Sequence, residues 1–207
     1  MPEQTAPADI GIIILAAGSS RRFQGDKRQA VLSHGQTLLA TTLSRVPETF
    51  SKKLLVLHPG DDTLAQHYAR QGWQIHMAVN AAQGMGHSLA SAMDCVDDWQ
   101  GALIGLGDMP FITAATYAGL QNALTAHDLV VPVFKNQWGN PAGFRRGYFS
   151  AIAALRGDTG ARGLLKKHQA LCFHYVCNDP GVLRDIDTPD SLALAIATNP
   201  NQGTQSA

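Results

Sequence analysis

The sequence predicts a three-layer α/β fold built on a mainly parallel sheet. Two patterns lead there. Short apolar segments alternate with amphipathic segments of helical period along most of the chain. That rhythm puts helices on both faces of a parallel sheet, joined by right-handed crossovers. The first apolar segment, Ile10 to Ala17, carries no charge and is rich in Ile and Leu. A run of that kind is expected of a strand buried on both faces.

The elements follow in order. After the opening strand, Thr37 to Val46 sets Leu39, Leu43 and Val46 on one helical face. Lys53 to His58 is a second strand, closed by Pro59-Gly60. Asp61 or Asp62 is expected to cap a helix carrying Leu64 and Tyr68. Gln74 to Val79 reads as a third strand, and Gln83 to Val96 as a helix with Leu89, Ala92, Met93 and Val96 on one side. Ala102 to Leu106 is a fourth strand, and Thr113 caps a helix with Tyr117, Leu120 and Leu124. Leu129 to Phe134 is a fifth strand; Trp138 to Arg146 then reads as a Gly/Pro loop. Leu155 to Arg162 is a turn entering a helix with Leu164 and Leu165, and Thr188-Pro189 is a helix start.

The chain has 207 residues, enough for a full core. One domain is expected over 1–198, with the polar stretch 199–207 as a disordered tail. Net charge is zero, which argues against general attraction to nucleic acid or anionic membrane. Cys95, Cys172 and Cys177 lack C-x-x-C spacing and are odd in number. They fit a reducing cytosol better than a disulfide framework. The polar N-terminus carries no signal peptide and no apolar run is long enough to span a membrane, so a cytoplasmic protein is expected.

Ligands of open α/β sheets bind beyond the carboxyl ends of the strands, so the segments after the strands carry the functional reading. After the first strand, Ala17, Gly18, Ser19 and Ser20 are small and are followed by Arg21, Arg22 and Lys27. Small residues offer backbone N–H groups to an anion and the cations add charge, a natural phosphate site. A solvated basic turn is the bland alternative. The spacing is neither a Walker A loop nor the G-x-G-x-x-G fingerprint. Asp108 appears where the fourth strand leaves the core. It is either a cap of the following turn or a ligand of Mg²⁺, which takes one or two carboxylates plus phosphates and waters. Ser88 lies too far inside its helix to cap it, and His87 reads as a loop histidine.

Read together, L-A-A-G-S-S-R-R-F-x-x-x-K, G-D-M-P-F-I, the segment Asn80 to Ser88, G-N-P-x-x-F and L-R-G-D-T-G-A-R resemble motifs of the MobA-like NTP transferases. Within that family they resemble most the molybdenum cofactor cytidylyltransferases, over nearly the whole chain from Gly11 to about Leu194. Two departures stand out: Gln24 replaces the usual Gly, and Asn140 replaces the common His. The resemblance implies a Rossmann-like fold of nucleotide-diphospho-sugar transferase type. It implies catalytic roles for Lys27, Arg22 and Asp108. It implies nucleotide binding by Leu15, Ala16, Ala17, Gly18, Ser19, Ser20, Arg22, Lys27, Asn80, Gly84 and Ser88. Acceptor binding falls to Asn140, Pro141, Gly143, Asp158 and Arg162, and metal binding to Asp108 and Asp187. Asp187 is a direct ligand or supports one, and Asp190 is read as a capping residue.

The expected reaction is transfer of a nucleotidyl group from an NTP to a phosphate acceptor, with loss of pyrophosphate and with Mg²⁺ as cofactor. L-A-A-G, rather than L-A-G-G, points to CTP, and the branch points to molybdopterin as acceptor and a molybdoenzyme as downstream partner. Ala17 is expected to press its methyl toward the base, obstructing a purine. Two other functions stay open: a nucleotidyltransferase acting on a sugar or alcohol phosphate, and a non-catalytic protein that binds or escorts a cofactor.

Overall fold

The computed structural model describes residues 9–18, 23 and 25–198. The expected tail and the candidate residues Ser19, Ser20 and Arg22 lie outside them. Eight strands form one sheet: β1 (Ile10–Leu15), β2 (Lys53–Leu57), β3 (Gln74–Met77), β4 (Gly101–Leu106), β5 (Leu129–Phe134), β6 (Gln137–Trp138), β7 (Ala142–Arg145) and β8 (Cys172–Val176). The order is β3-β2-β1-β4-β7-β5-β6, with β8 also paired to β5. β1 pairs in parallel with β2 and β4, β2 with β3, and β5 with β8; β7 runs antiparallel to β4 and β5. The sheet is therefore mostly parallel, with one reversed strand inserted between β4 and β5.

β1 is buried on both faces. Ile13 and Leu15 enter one core cluster, while Ile10, Ile12 and Ile14 enter the other. The first cluster also holds Leu89 of α3 (Met85–Ala92), Ile152 of α5 (Phe149–Ala153) and Leu165 of α6 (Arg162–Lys167). The second holds Leu39 of α1 (Leu38–Ser44), Tyr68 of α2 (Asp62–Ala69) and Leu120 of α4 (Ala114–Ala126). Helices thus cover both faces, which gives three layers. Gly11 sits in β1 because Trp99 packs over it: a Cβ there would lie 2.2 Å from the indole ring. No described helix is long and apolar enough to cross a membrane.

Several local expectations change. The helix expected over Gln83 to Val96 covers only Met85–Ala92, flanked by 3-10 turns at Ala81–Gln83 and Met93–Cys95. Gly84 has φ +117, outside the helical region, so the helix starts after it. Strand β3 ends at Met77, leaving Val79 74% exposed. The expected loop Trp138 to Arg146 is instead the end of β6 and the whole of β7. β7 is short and glycine-bearing, which hid it; β8 is largely exposed, so it shows no buried alternation. Thr37 and Thr113 cap α1 and α4 through their hydroxyls, accepting from the N–H of Ala40 and Thr116.

The C-terminal segment is tied back over the sheet edge. Ile186 N–H donates to the Asp108 carbonyl at 3.0 Å, and Asn140 N–H to the Val182 carbonyl at 2.9 Å. Helix α7 (Pro189–Thr198) follows. Thr188 Oγ1 accepts from Ser191 N–H, and Ser191 Oγ accepts from the N–H groups of Asp187 and Thr188. This reciprocal cap fixes the backbone on which Asp187 sits.

Candidate active site

At the carboxyl end of β1 and β4, three charged side chains from distant parts of the chain meet. Lys27 Nζ donates to Asp108 Oδ2 at 2.5 Å and to Asp187 Oδ1 at 2.7 Å. Asp108 follows β4, Lys27 opens the 3-10 turn Lys27–Gln29, and Asp187 precedes α7. Burial pushes the Asp108 carboxyl above the usual range; Lys27 pulls it down without cancelling that effect, and Asp185 and Asp187 add to the rise. Burial alone would depress the Lys27 ammonium, but Asp108 and Asp187 more than offset this and raise its pKa. Asp108 Oδ1 is buried without a hydrogen-bond partner among the described residues. Such an oxygen is costly to leave unmet and fits a cation ligand.

The three side chains line a cavity of about 470 Å³. Leu15, Ala16, Ala17 and Gly18 line it from β1, and Gly84 and Ser88 line it from the entry of α3. Leu15, Ala16 and Ala17 are buried, while Gly18 is exposed with open space where a Cβ would stand. Ala17 belongs to a core cluster and is 4% exposed. Its methyl is packed into the core, so it presents little surface to a base. Gly84 is pressed against the following loop: a Cβ would lie 2.4 Å from the Gly157 backbone. His87 lies in the first turn of α3 and not in a loop, and its Nδ1 accepts from Gly157 N–H at 3.0 Å.

Other candidates fall differently. Asp158 lines the main cavity. Asn140 and Arg162 line an adjoining cavity of about 450 Å³, and Asp185 lines both. Arg162 Nη2 donates to the Trp138 carbonyl at 2.5 Å. Pro141 and Gly143 line neither cavity. Gly143 lies within β7, where a Cβ would meet Leu103 and Leu124, so its place is sheet packing. Asn80 also lies off the cavity lining; its Oδ1 accepts from Gln83 Nε2 at 3.3 Å.

Sequence reasoning missed Arg28. Its guanidinium donates to the Ala16 carbonyl at 3.0 Å, to both carboxyl oxygens of Asp26 at 2.8 and 2.9 Å, and to Asp61 Oδ1 at 2.8 Å. It also bonds Asp61 Oδ2. Burial would lower its pKa, but Asp61 and Asp26 hold it above the ordinary value. Asp61 stands at the N-cap of α2, but its side chain makes no capping bond: besides Arg28 it accepts from His58 N–H at 2.9 Å. Adjacent cations in a small-residue loop were the available signal. The partner Asp61 stands 33 residues away on another loop, where no local pattern reveals it.

Fold and cavity together define an α/β protein with a charged cavity beyond the carboxyl ends of its strands. The chain belongs to the MobA-like NTP transferase domain family, whose pattern matches residues 12–171. It is therefore nucleotidyltransferase-like. Purine catabolism protein PucB of Bacillus subtilis (strain 168) is 29% identical over 196 residues, 89% of this chain and 94% of PucB. The homologue of Mycobacterium tuberculosis rv0371c from Mycobacterium sp. strain JC1 shares the fold with TM-score 0.77 and 28% identity. That match covers 93% of this chain and 98% of the homologue. Rv0371C of Mycobacterium tuberculosis H37Rv, solved in complex with manganese, shares it with TM-score 0.77 and 24% identity. That match covers 92% of this chain and 99% of Rv0371C, and is a likeness of fold.

Proposed function

We propose that this chain is a divalent-cation-dependent cytidylyltransferase that joins CMP from CTP to the terminal phosphate of molybdopterin. The observation that carries the reading is the meeting of Lys27, Asp108 and Asp187 in one cavity beneath the Leu15–Gly18 backbone. An acceptor phosphate oxygen attacks the α-phosphorus of CTP. The bond from that phosphorus to the bridging oxygen breaks, and pyrophosphate leaves with the electron pair. The acceptor is already anionic, so no side-chain nucleophile or base is needed.

The protein mainly positions and neutralises charge. Backbone N–H groups from Ala17 onward hold phosphate oxygens, joined by Ser19, Ser20 and Arg22. Lys27 supports the α-phosphate as charge grows there. Mg²⁺ fits the carboxylates of Asp108 and Asp187, and when bound it neutralises phosphate charge. Arg28, spent on Asp26, Asp61 and Ala16, keeps the loop in shape rather than gripping substrate. Asn140 and Arg162 bound the adjoining cavity, which offers room for the acceptor beside the nucleotide. A molybdoenzyme is the proposed recipient of the product.

The test is pyrophosphate release with each NTP, with and without molybdopterin, in Mg²⁺. Release that requires CTP and molybdopterin together supports the reading. Turnover with a sugar or alcohol phosphate would replace the acceptor, and nucleotide binding without turnover would make the chain an escort protein.

A further inference from the structure

Among the described residues, two carboxylates anchored through their backbone and one cation on a flexible stem meet in the cavity, with Asp185 lining it beside them. Asp108 is anchored at the end of β4, where its carbonyl accepts from Ile186 N–H at 3.0 Å. Asp187 is anchored by its N–H to Ser191 Oγ at 3.1 Å. The neighbour of Lys27 is also anchored: Arg28 is held by Asp26, Asp61 and the Ala16 carbonyl. The Lys27 backbone is thereby pinned, while its ammonium rides on a four-carbon stem with free rotors. That ammonium sits between the two carboxylates, 2.5 Å from Asp108 and 2.7 Å from Asp187. It meets one oxygen of Asp108 and leaves Oδ1 buried without a partner among the described residues. An ammonium gives directional hydrogen bonds, whereas a coordinated ion can draw on both oxygens of a carboxylate such as Asp108.

We infer that Lys27 is a built-in counter-cation that occupies the place of a metal ion between Asp108 and Asp187 and is drawn off by nucleotide phosphates. This rests on the nucleotidyltransferase reading and deepens it. A free divalent ion must compete with a tethered positive charge for the same two carboxylates, so it binds weakly alone. A metal–nucleotide complex brings both the replacement cation and the phosphate anion that Lys27 moves to. Cation and nucleotide then bind as a pair, and the carboxylates are never left facing each other unneutralised. Lys27 thus has opposite effects on two ligands: it opposes the bare ion and favours the ion–nucleotide complex.

The experiment titrates the full chain with Mn²⁺ alone, followed by electron paramagnetic resonance of free Mn²⁺, and then with the Mn²⁺–CTP complex by calorimetry. The variants are Lys27→Met, Lys27→Gln and Asp108→Asn. Lys27→Gln, one bond shorter, keeps a hydrogen-bond donor and reads the same quantity where Lys27→Met does not fold. Removing the charge is expected to tighten Mn²⁺ alone by about tenfold or more, the scale of one unit charge within a few ångströms of the ion. The same variants are expected to weaken the Mn²⁺–CTP complex. Asp108→Asn is expected to weaken both. Unchanged or weaker binding of Mn²⁺ alone by the Lys27 variants, with Asp108→Asn impaired, overturns the counter-cation role and leaves the metal site standing. Mn²⁺ binding by Asp108→Asn equal to wild type overturns the site and the inference together. Because the Mn²⁺ arm contains no nucleotide, it reads the cluster even where CTP proves to be the wrong substrate.

Discussion

Asp108 and Asp179 both sit in loops that follow strands, and the chain surrounds them in opposite ways. Asp179 is 5% exposed and fully met. Its Oδ2 accepts from Thr113 N–H at 2.9 Å, Thr113 Oγ1 at 3.0 Å and Thr116 Oγ1 at 2.6 Å, and its Oδ1 accepts from Gly181 N–H at 2.9 Å. Those bonds fasten the segment after β8 to the start of α4. Asp108 has Lys27 on one oxygen and, among the described residues, no partner on the other. A buried carboxylate with both oxygens answered holds structure together. One left half answered carries binding capacity that the fold does not use.

The largest expected effect breaks the comparison on the Asp108 side. Asp108→Asn keeps the shape and removes the charge. Cation-dependent turnover should fall by about three orders of magnitude, while the urea midpoint stays close to wild type. A variant with normal turnover would make Asp108 the structural partner of the pair.

Asp179→Ala should do the reverse. Thr113, Thr116 and Gly181 lose a charged acceptor, and stability should drop by about 3 kcal/mol or more in urea unfolding. The folded fraction should keep its affinity for the nucleotide. Affinity lost without a loss of stability would move Asp179 into the site.

Lys27→Ala is expected to lower turnover by about a hundredfold with the fold intact, as for removal of one stabilising donor from a transition state. Steady-state kinetics with circular dichroism decides it. A smaller discrimination is expected between bases. CTP should compete better than GTP, and Ala17→Gly should change this little because the Ala17 methyl is packed in the core. Preference for GTP in direct competition would remove the cytidylyl assignment.

The smallest effect is in the pH dependence of stability. The folded pKa of Asp108 is raised above the ordinary carboxylate value, chiefly by burial. Between the unfolded and folded values the native state therefore holds more protons. Its contribution is fully present below the unfolded value and is lost as pH rises through the folded one. Wild type should lose stability relative to Asp108→Asn across that acidic window, by at most about 1.4 kcal/mol per pH unit. A difference between the two that is flat with pH would show that burial does not penalise the ionised form.

Much of the architecture was legible where neighbours in the chain decide it. The apolar runs ending at Leu15, Leu57, Leu106 and Phe134 form strands because each can bury both faces. Thr113 caps α4 because its hydroxyl reaches an N–H three residues on. Lys27 and Asp108 were legible as cation and carboxylate directly beyond strand ends. The reversed strand β7 was not: four residues with a glycine read as loop, and only the gap between β4 and β5 makes them a strand.

By itself, then, the sequence determined which segments are apolar enough to build the sheet and which charged residues stand at its edge. Those follow from local composition and period. The tertiary structure alone decided what each charge does. Lys27 meets Asp108 and Asp187 across 81 and 160 residues of chain, and Arg28, one position on, is taken up by Asp26 and Asp61. Two adjacent cations thus part company because charge pairing and desolvation depend on separation in space. The order of strands sets that separation, and spacing along the chain does not.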